Sequence, residues 1–215
     1  MQLSAIDFAY YQISLDPIRG KIPKDEEEEI IKGSINCGIA EADKLKEKYG
    51  DLTVAEIAKE LGIEIEYHKE QSALDFVYFG LFESPNKIFI YDNNIEKAVL
   101  LLKELRIKNF NVEFKDIVLA HELFHFIDEH DSSLYTNTRT INLWSLGKFY
   151  THKSKLICTG EIAAMSFAKR LLNLDFDPNI LDYIFLAAFD LEKAAQLYQR
   201  IMNCKHIMKG DFNHE

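Results

Sequence analysis

The feature that most constrains this sequence is a pair of histidines four residues apart within an apolar segment. His121-Glu122-Leu123-Phe124-His125 lies inside the stretch from Phe114 to His130. On an α-helix, residues four apart share a face with their Cβ atoms about 5–6 Å apart, so both imidazoles can reach one metal ion. Glu122 then lies beside the ion rather than on it. The H-E-x-x-H pattern on a helix is typical of two imidazoles that bind zinc and a neighbouring carboxylate that takes a proton from water.

A motif this short also occurs by chance, so its surroundings decide its interpretation. The residues from Ile117 to Ile127 make the helix apolar over most of its surface, which predicts that the helix is buried. Two histidines and a glutamate are costly in a buried helix unless something satisfies their polar atoms. We therefore predict a zinc site with His121 and His125 as ligands and Glu122 as the catalytic base.

Composition and charge exclude several classes of protein. Hydrophobic residues make up 47% and charged residues 28% of the 215 residues, which is typical of a globular protein. The formal net charge of -10 argues against a surface that binds nucleic acid directly. Three widely spaced cysteines favour free thiols in a reducing compartment. With no secretory signal and no apolar run long enough to span a membrane, we expect a cytoplasmic protein.

The hydrophobic patterns predict an α+β fold, mostly helical, with a small sheet of about three strands packed beside the zinc-binding helix. Residues 1–24 contain Pro17, Gly20 and Pro23 and predict irregular structure. Helices are predicted from Asp25 to about Tyr49, and over Thr53–Leu61, Asn94–Ile107, Lys155–Leu172 and Asp177 to about Met208. Strands are predicted at Ile63–Tyr67, Phe76–Phe82 and Lys87–Tyr91, with a hairpin at Ser84-Pro85-Asn86.

Two further interpretations concern organisation. The segment from Asp131 to Lys153 reads as a long loop or short helical pieces near the motif, and is a candidate wall of the cleft. Residues 51–175 are predicted to form the metallopeptidase domain. Residues 1–50 form a helical region before it, and residues 176–215 a helical extension packed on the same core. The helix at Thr53 resembles the start of a helix-turn-helix, but a strand follows it where a recognition helix would be needed.

A catalytic zinc needs a third protein ligand, and four residues can be compared for that role. His130 is five residues after His125 and points elsewhere on the helix. Asp131 lies where one class of zinc peptidases has its third ligand after a glycine turn, but no glycine precedes it here. Asp128 fits better as a carboxylate that orients an imidazole or faces solvent. Glu161 begins an apolar helix with small alanines that can pack closely on a neighbour. We predict Glu161 as the third ligand.

The order of these parts resembles the ImmA/IrrE family of zinc metallopeptidases over roughly residues 52–172. The resemblance is carried by Leu119-Ala120-His121-Glu122-Leu123-Phe124-His125 and by Glu161-Ile-Ala-Ala164-Met-Ser-Phe167-Ala168-Lys-Arg-Leu171-Leu172. The family pattern places a glycine where this chain has Phe124, and asparagine or aspartate where it has Met165. The resemblance implies zinc held by His121, His125 and Glu161.

The resemblance also implies site-specific cleavage of a protein substrate, a helix-turn-helix transcriptional repressor. Two alternatives stay open: a non-catalytic metal-binding module that senses a partner or acts in a toxin–antitoxin pair, and a hydrolase of small peptides. A donor for the tetrahedral oxyanion is expected as well. The residues considered for that role are Tyr135, Arg139, Tyr150, His152 and His206.

Overall fold

The architecture is an α+β fold in which helices surround two small sheets. It is known from a computed structural model, which describes residues 3–69, 78–107, 112–146 and 150–210. The helices are α1 (Ala5–Leu15), α2 (Glu27–Tyr49), α3 (Val54–Glu60), α4 (Asp92–Glu104), α5 (Phe114–His130), α6 (Tyr135–Thr138), α7 (Ile157–Leu171), α8 (Ile180–Phe189) and α9 (Leu191–Gly210). The strands are β1 (Glu64–His68), β2 (Gly80–Glu83), β3 (Lys87–Tyr91), β4 (Thr140–Leu146) and β5 (Tyr150–Lys155).

The three-stranded sheet has the order β1-β3-β2, so β2 is an edge strand. β3 pairs in parallel with β1 and antiparallel with β2, and its register sets Phe82 opposite Ile88. Ile88 and Ile90 alternate toward the core and are fully buried, as expected for one face of a strand. The sheet and the hairpin turn were predicted from the sequence. Residues 76 and 77 of the predicted second strand lie outside the described residues.

Helix α5 packs between this sheet and α7. Leu123 and Phe124 are fully buried in the main core. Helix α2 lies against the other side of α7, so α7 is covered by a long helix on one side and by the motif helix on the other. The predicted helix α3 begins where expected, because Thr53 and Glu56 form a capping box.

Three predictions about secondary structure are wrong. Residues 1–24 are not irregular, because α1 runs from Ala5 to Leu15 behind a capping box of Ser4 and Asp7. The segment from Asp131 to Lys153 contains a two-stranded antiparallel hairpin, β4–β5, in addition to the short α6. Asp177 and Pro178 precede α8 without opening it.

Asp177 instead accepts a hydrogen bond from the backbone of Asn179, which is the residue before α8. The predicted helical region from Asp177 to about Met208 consists of two helices, α8 and α9, which Asp190 separates. Leu181, Ile184 and Phe185 of α8 join the main core. Within the described part of the chain, no helix is both long and apolar enough to cross a membrane.

Candidate metal centre

Two helices bring three potential metal ligands together. His121 and His125 lie one turn apart on α5, and Glu161 lies in the second turn of α7. The Nε2 atoms of the two histidines are 3.0 Å apart. The Glu161 oxygens are 3.5 Å from Nε2 of His121 and 3.5 Å from Nε2 of His125. These ligand atoms all lie within 4.8 Å of one another, so the group can hold one metal ion.

The spacing of the three ligand atoms fits a tetrahedral ion. Zinc bonds to nitrogen and oxygen are about 2.0–2.2 Å long, which puts two tetrahedral ligand atoms about 3.3–3.6 Å apart. The observed distances of 3.0, 3.5 and 3.5 Å are close to that range. The Glu161 side chain is 36% exposed and the His121 side chain 14%, so the fourth position can face the cleft.

Close packing of α7 on its neighbours brings Glu161 to the histidines. A Cβ atom at Gly38 of α2 would overlap the backbone oxygen of Ala163, so only glycine lets the two helices approach this closely. On the other side of α7, the rings of Phe124 and Phe167 pack 5.5 Å apart and both are fully buried. Phe124, which stands where the ImmA/IrrE pattern has glycine, thus faces the core and leaves the ligand atoms clear.

The Glu161 carboxylate favours a positive charge on the neighbouring imidazoles. Burial alone would lower the pKa of His121, but its contact with the Glu161 carboxylate and the nearby negative charges raise it to about 9. Burial and then the charge of His121 lower the pKa of His125 to about 4. Burial would raise the pKa of Glu161, but the two imidazoles lower it to about 2. A cluster that stabilises a proton in this place is suited to a metal cation.

Glu122 is held beside the ligands by the edge strand of the sheet. The backbone amide of Phe82 donates a 2.9 Å hydrogen bond to Oε2 of Glu122, which is only 8% exposed. Burial raises the pKa of Glu122, while the charge of His121 and the Phe82 amide act in the opposite direction. A Cβ atom at Gly80 would lie 2.8 Å from Oε1 of Glu122. A glycine in β2 therefore lets the strand approach the carboxylate closely.

The other residues compared for the ligand role lie apart from this cluster. His130 Nδ1 lies 2.8 Å from the backbone oxygen of Phe126. Asp131 accepts hydrogen bonds from the backbone and side chain of Ser133. The cluster that could hold a metal includes neither residue.

Asp128 is partly buried, and among the described residues it makes no hydrogen bond to an imidazole. Its Oδ1 accepts hydrogen bonds from Thr136 and from Nδ2 of Asn137, the latter at 3.0 Å. Asn137 also donates to the backbone oxygen of Asp128. This carboxylate therefore attaches α6 to the end of α5, and its role is structural.

Two cavities flank the centre on the face that carries Glu122. The first has a volume of about 230 Å³ and lies between the sheet, α5 and α8. The second is more open and lies along β2 and the later turns of α5. Tyr78, Gly80, His121 and Glu122 line both cavities, so the two cavities meet at Glu122. The described part of the segment from Asp131 to Lys153, which was predicted to form a cleft wall, lines neither of these cavities.

The residues considered as oxyanion donors are placed elsewhere where their side chains are described. Tyr135 donates to Glu29 at 2.8 Å, and Arg139 pairs with Glu26 and Glu29. The ring of His152 stacks on Trp144. The side chains of Tyr150 and His206 lie outside the described residues.

Sequence reasoning missed two polar residues that line the cavities, Tyr78 and Asp182. Tyr78 is kept at the cleft by Asn94, whose Nδ2 donates a 2.7 Å hydrogen bond to the Tyr78 backbone oxygen. Asn94 is 2% exposed, and a buried asparagine at the start of a helix is a signal that could have indicated this contact. An aspartate in the first turn of a helix, like Asp182, usually indicates only a favourable dipole contact.

Comparison with known proteins adds no relative. No protein-family model, no curated protein and no solved structure matches this chain.

Proposed function

We propose that the protein is a zinc-dependent peptidase that cleaves a protein substrate at a specific site. The observation that carries this proposal is the position of Glu122, a buried carboxylate outside the ligand set that lines both cavities. A purely structural metal site has no use for such a group. The two histidines and Glu161 supply the donor set of a catalytic zinc site with one open position.

The residues of this chain divide the work between them. His121, His125 and Glu161 would hold the ion. When bound, zinc lowers the pKa of a water molecule and polarises a peptide carbonyl. Glu122 would take a proton from the attacking water and return it to the leaving amine as general acid. The Phe82 amide fixes one carboxylate oxygen of Glu122, which leaves the other oxygen for proton transfer.

The substrate we propose is a helix-turn-helix transcriptional repressor. This part of the proposal rests on the resemblance of the two helical motifs to the ImmA/IrrE pattern. The partner-sensing alternative needs the three ligands but not Glu122. Replacing Glu122 therefore distinguishes a partner-sensing module from a peptidase.

The test compares Glu122→Gln with Glu113→Gln, the same chemical change at an exposed position before the same helix. Metal content is measured by elemental analysis of protein purified without added metal, and cleavage is mapped by mass spectrometry on a peptide library. We expect about one zinc per chain in the wild-type protein and in both variants. Cleavage should fall at least about 100-fold in Glu122→Gln only, because it alone lacks the general base. Normal cleavage by Glu122→Gln, or wild-type protein that binds zinc but cuts no peptide and no repressor, would contradict the proposal.

A further inference from the structure

The cavity of about 230 Å³ beside the metal centre has mainly apolar walls. The rings of Phe79 and Phe185 stack 3.9 Å apart and nearly parallel at one side of it. Ile117 and Val118 of α5 and Met165 of α7 complete the apolar lining. Because His121 and Glu122 line the same cavity, a group that enters it lies next to the proposed site of cleavage. A pocket of this kind receives one side chain of a substrate.

One charged residue outside the metal centre lines this apolar cavity. Asp182 is three residues before Phe185 on α8, so the two side chains share a helix face. Asp182 is partly buried, and among the described residues it forms no hydrogen bond and no ion pair. The cations nearest to it in sequence pair with other carboxylates: Lys193 with Asp190 at 3.5 Å and Arg170 with Asp43 at 2.6 Å. A carboxylate among apolar walls without a partner is costly, so it points to a ligand that supplies one.

The charges around the cleft also favour a cation. Neither cavity beside the centre is lined by a described lysine or arginine, whereas Glu122, Asp128, Glu161 and Asp182 line one or the other. Burial raises the pKa of Asp182 to about 6, while the nearby charge of His121 acts in the opposite direction. A carboxylate in the wall of an apolar cavity matches a side chain with an aliphatic stem and a positive end.

We propose that this cavity binds the side chain of a lysine or arginine next to the scissile bond, with Asp182 as its counter-ion. The aliphatic stem packs on Phe79, Phe185 and Met165, and the positive end forms a charge-assisted hydrogen bond with the carboxylate. Asp182 is thus a specificity-determining residue. This inference rests on the proposed peptidase function and names its substrate class: a peptide with a basic residue at the cut.

A different role for Asp182 would be to orient the His121 ring, since metal-bound histidines commonly donate their second ring nitrogen to a carboxylate. The structure does not support that role, because Nδ1 of His121 is buried and has no hydrogen-bond partner among the described residues. The two roles differ in what a neutral residue at position 182 would change. Loss of a counter-ion affects basic ligands only, whereas loss of an orienting group affects every substrate.

The first test measures binding without turnover. Acetyl-arginine amide and acetyl-citrulline amide have the same shape and differ in charge, and each is titrated by NMR into the Glu122→Gln protein. We expect the arginine compound to bind at least about tenfold more tightly. Adding Asp182→Asn should remove this difference, and adding Glu129→Gln, which neutralises a carboxylate in the other cavity, should preserve it. Equal binding of the two compounds, no binding by either, or a difference that survives Asp182→Asn overturns the inference.

The second test measures cleavage of a peptide library by the otherwise wild-type protein. We expect a preference for lysine or arginine at one position beside the cut. Asp182→Asn should lower kcat/KM at least about tenfold for an arginine peptide and leave its citrulline counterpart unchanged. An equal loss on both peptides identifies Asp182 as an orienting residue and overturns the inference. Cleavage without basic preference also overturns it and leaves the peptidase standing. No cleavage of any substrate removes the peptidase function, and the NMR titration alone then decides cation binding by Asp182.

Discussion

The two sides of the metal centre are built from different kinds of structure. On one side, α7 packs closely on α2 through Gly38 and Ala163 and on α5 through Phe124 and Phe167, and this packing brings the three ligand atoms together. On the other side, the edge strand β2 approaches Glu122 and holds it through a single backbone hydrogen bond from Phe82. Metal affinity should therefore depend on the helices and proton transfer on the strand. The comparison teaches that the two properties can be changed separately.

The largest effect is expected from removing the charge of the third ligand. Glu161→Gln keeps the size of the side chain but replaces a carboxylate with a neutral amide, so zinc affinity should fall by more than about 100-fold. The measurement is a competition titration against a chromophoric chelator.

His130→Ala and Asp131→Asn are the controls for Glu161→Gln, because both residues lie near the end of α5 and outside the ligand cluster. Their zinc affinities should stay within about threefold of wild type. If either control loses the metal while Glu161→Gln keeps it, Glu161 is not the third ligand.

The next effect tests the packing of the helices. In Gly38→Ala, the new methyl group would overlap the Ala163 backbone oxygen, so α2 and α7 must move apart. Ala favours a helix by about 1 kcal/mol over Gly, but overpacking against backbone costs up to about 3 kcal/mol. We expect the free energy of unfolding to fall by about 2 kcal/mol, together with a loss of zinc affinity, because Ala163 is close to Glu161.

Gly20→Ala is the matched control for the helix packing, since nothing lies within 4 Å of a Cβ atom at Gly20. Its free energy of unfolding in a urea titration should differ from wild type by less than about 0.5 kcal/mol. Equal stability of the two variants would show that the α2–α7 contact does not require glycine.

The smallest effect tests the strand side. In Gly80→Ala, the new methyl group would meet Val118 at 2.5 Å and Oε1 of Glu122 at 2.8 Å, so the carboxylate must move. Misplacing a general base lowers the rate without removing a ligand, and we expect kcat to fall about tenfold. Zinc affinity measured in parallel should stay at the wild-type value. A variant that loses zinc and activity together would show that the two sides are coupled.

Local sequence signals predicted the parts of the centre that depend on neighbours along the chain. Helix periodicity placed His121, Glu122 and His125 correctly on one helix, and the capping box at Thr53 gave the start of α3. The meeting of Glu161 with His125, 36 residues earlier, depends on helix packing, and the small alanines around Glu161 are only an indirect signal of it.

The errors have similar physical causes. Helix α1 was missed because Pro17, Gly20 and Pro23 dominate the pattern, although Ser4 and Asp7 give a start signal just before the helix. The β4–β5 hairpin was read as a loop because a two-stranded sheet with little core lacks a strong apolar alternation. Asp182 could not be recognised, because its importance comes from which walls surround it after folding.

The contact between Gly38 and Ala163 also determines the order of events during synthesis. The two residues are 125 positions apart (163 − 38), and a ribosome adds about 5–20 residues per second. Helix α2 therefore waits roughly 6–25 seconds for α7, the helix that will cover its apolar face. Before that moment the apolar face of α2 is uncovered, and once His125 has been added the two histidines still lack Glu161. The metal centre that we propose can therefore be completed only after α7 has docked on α2.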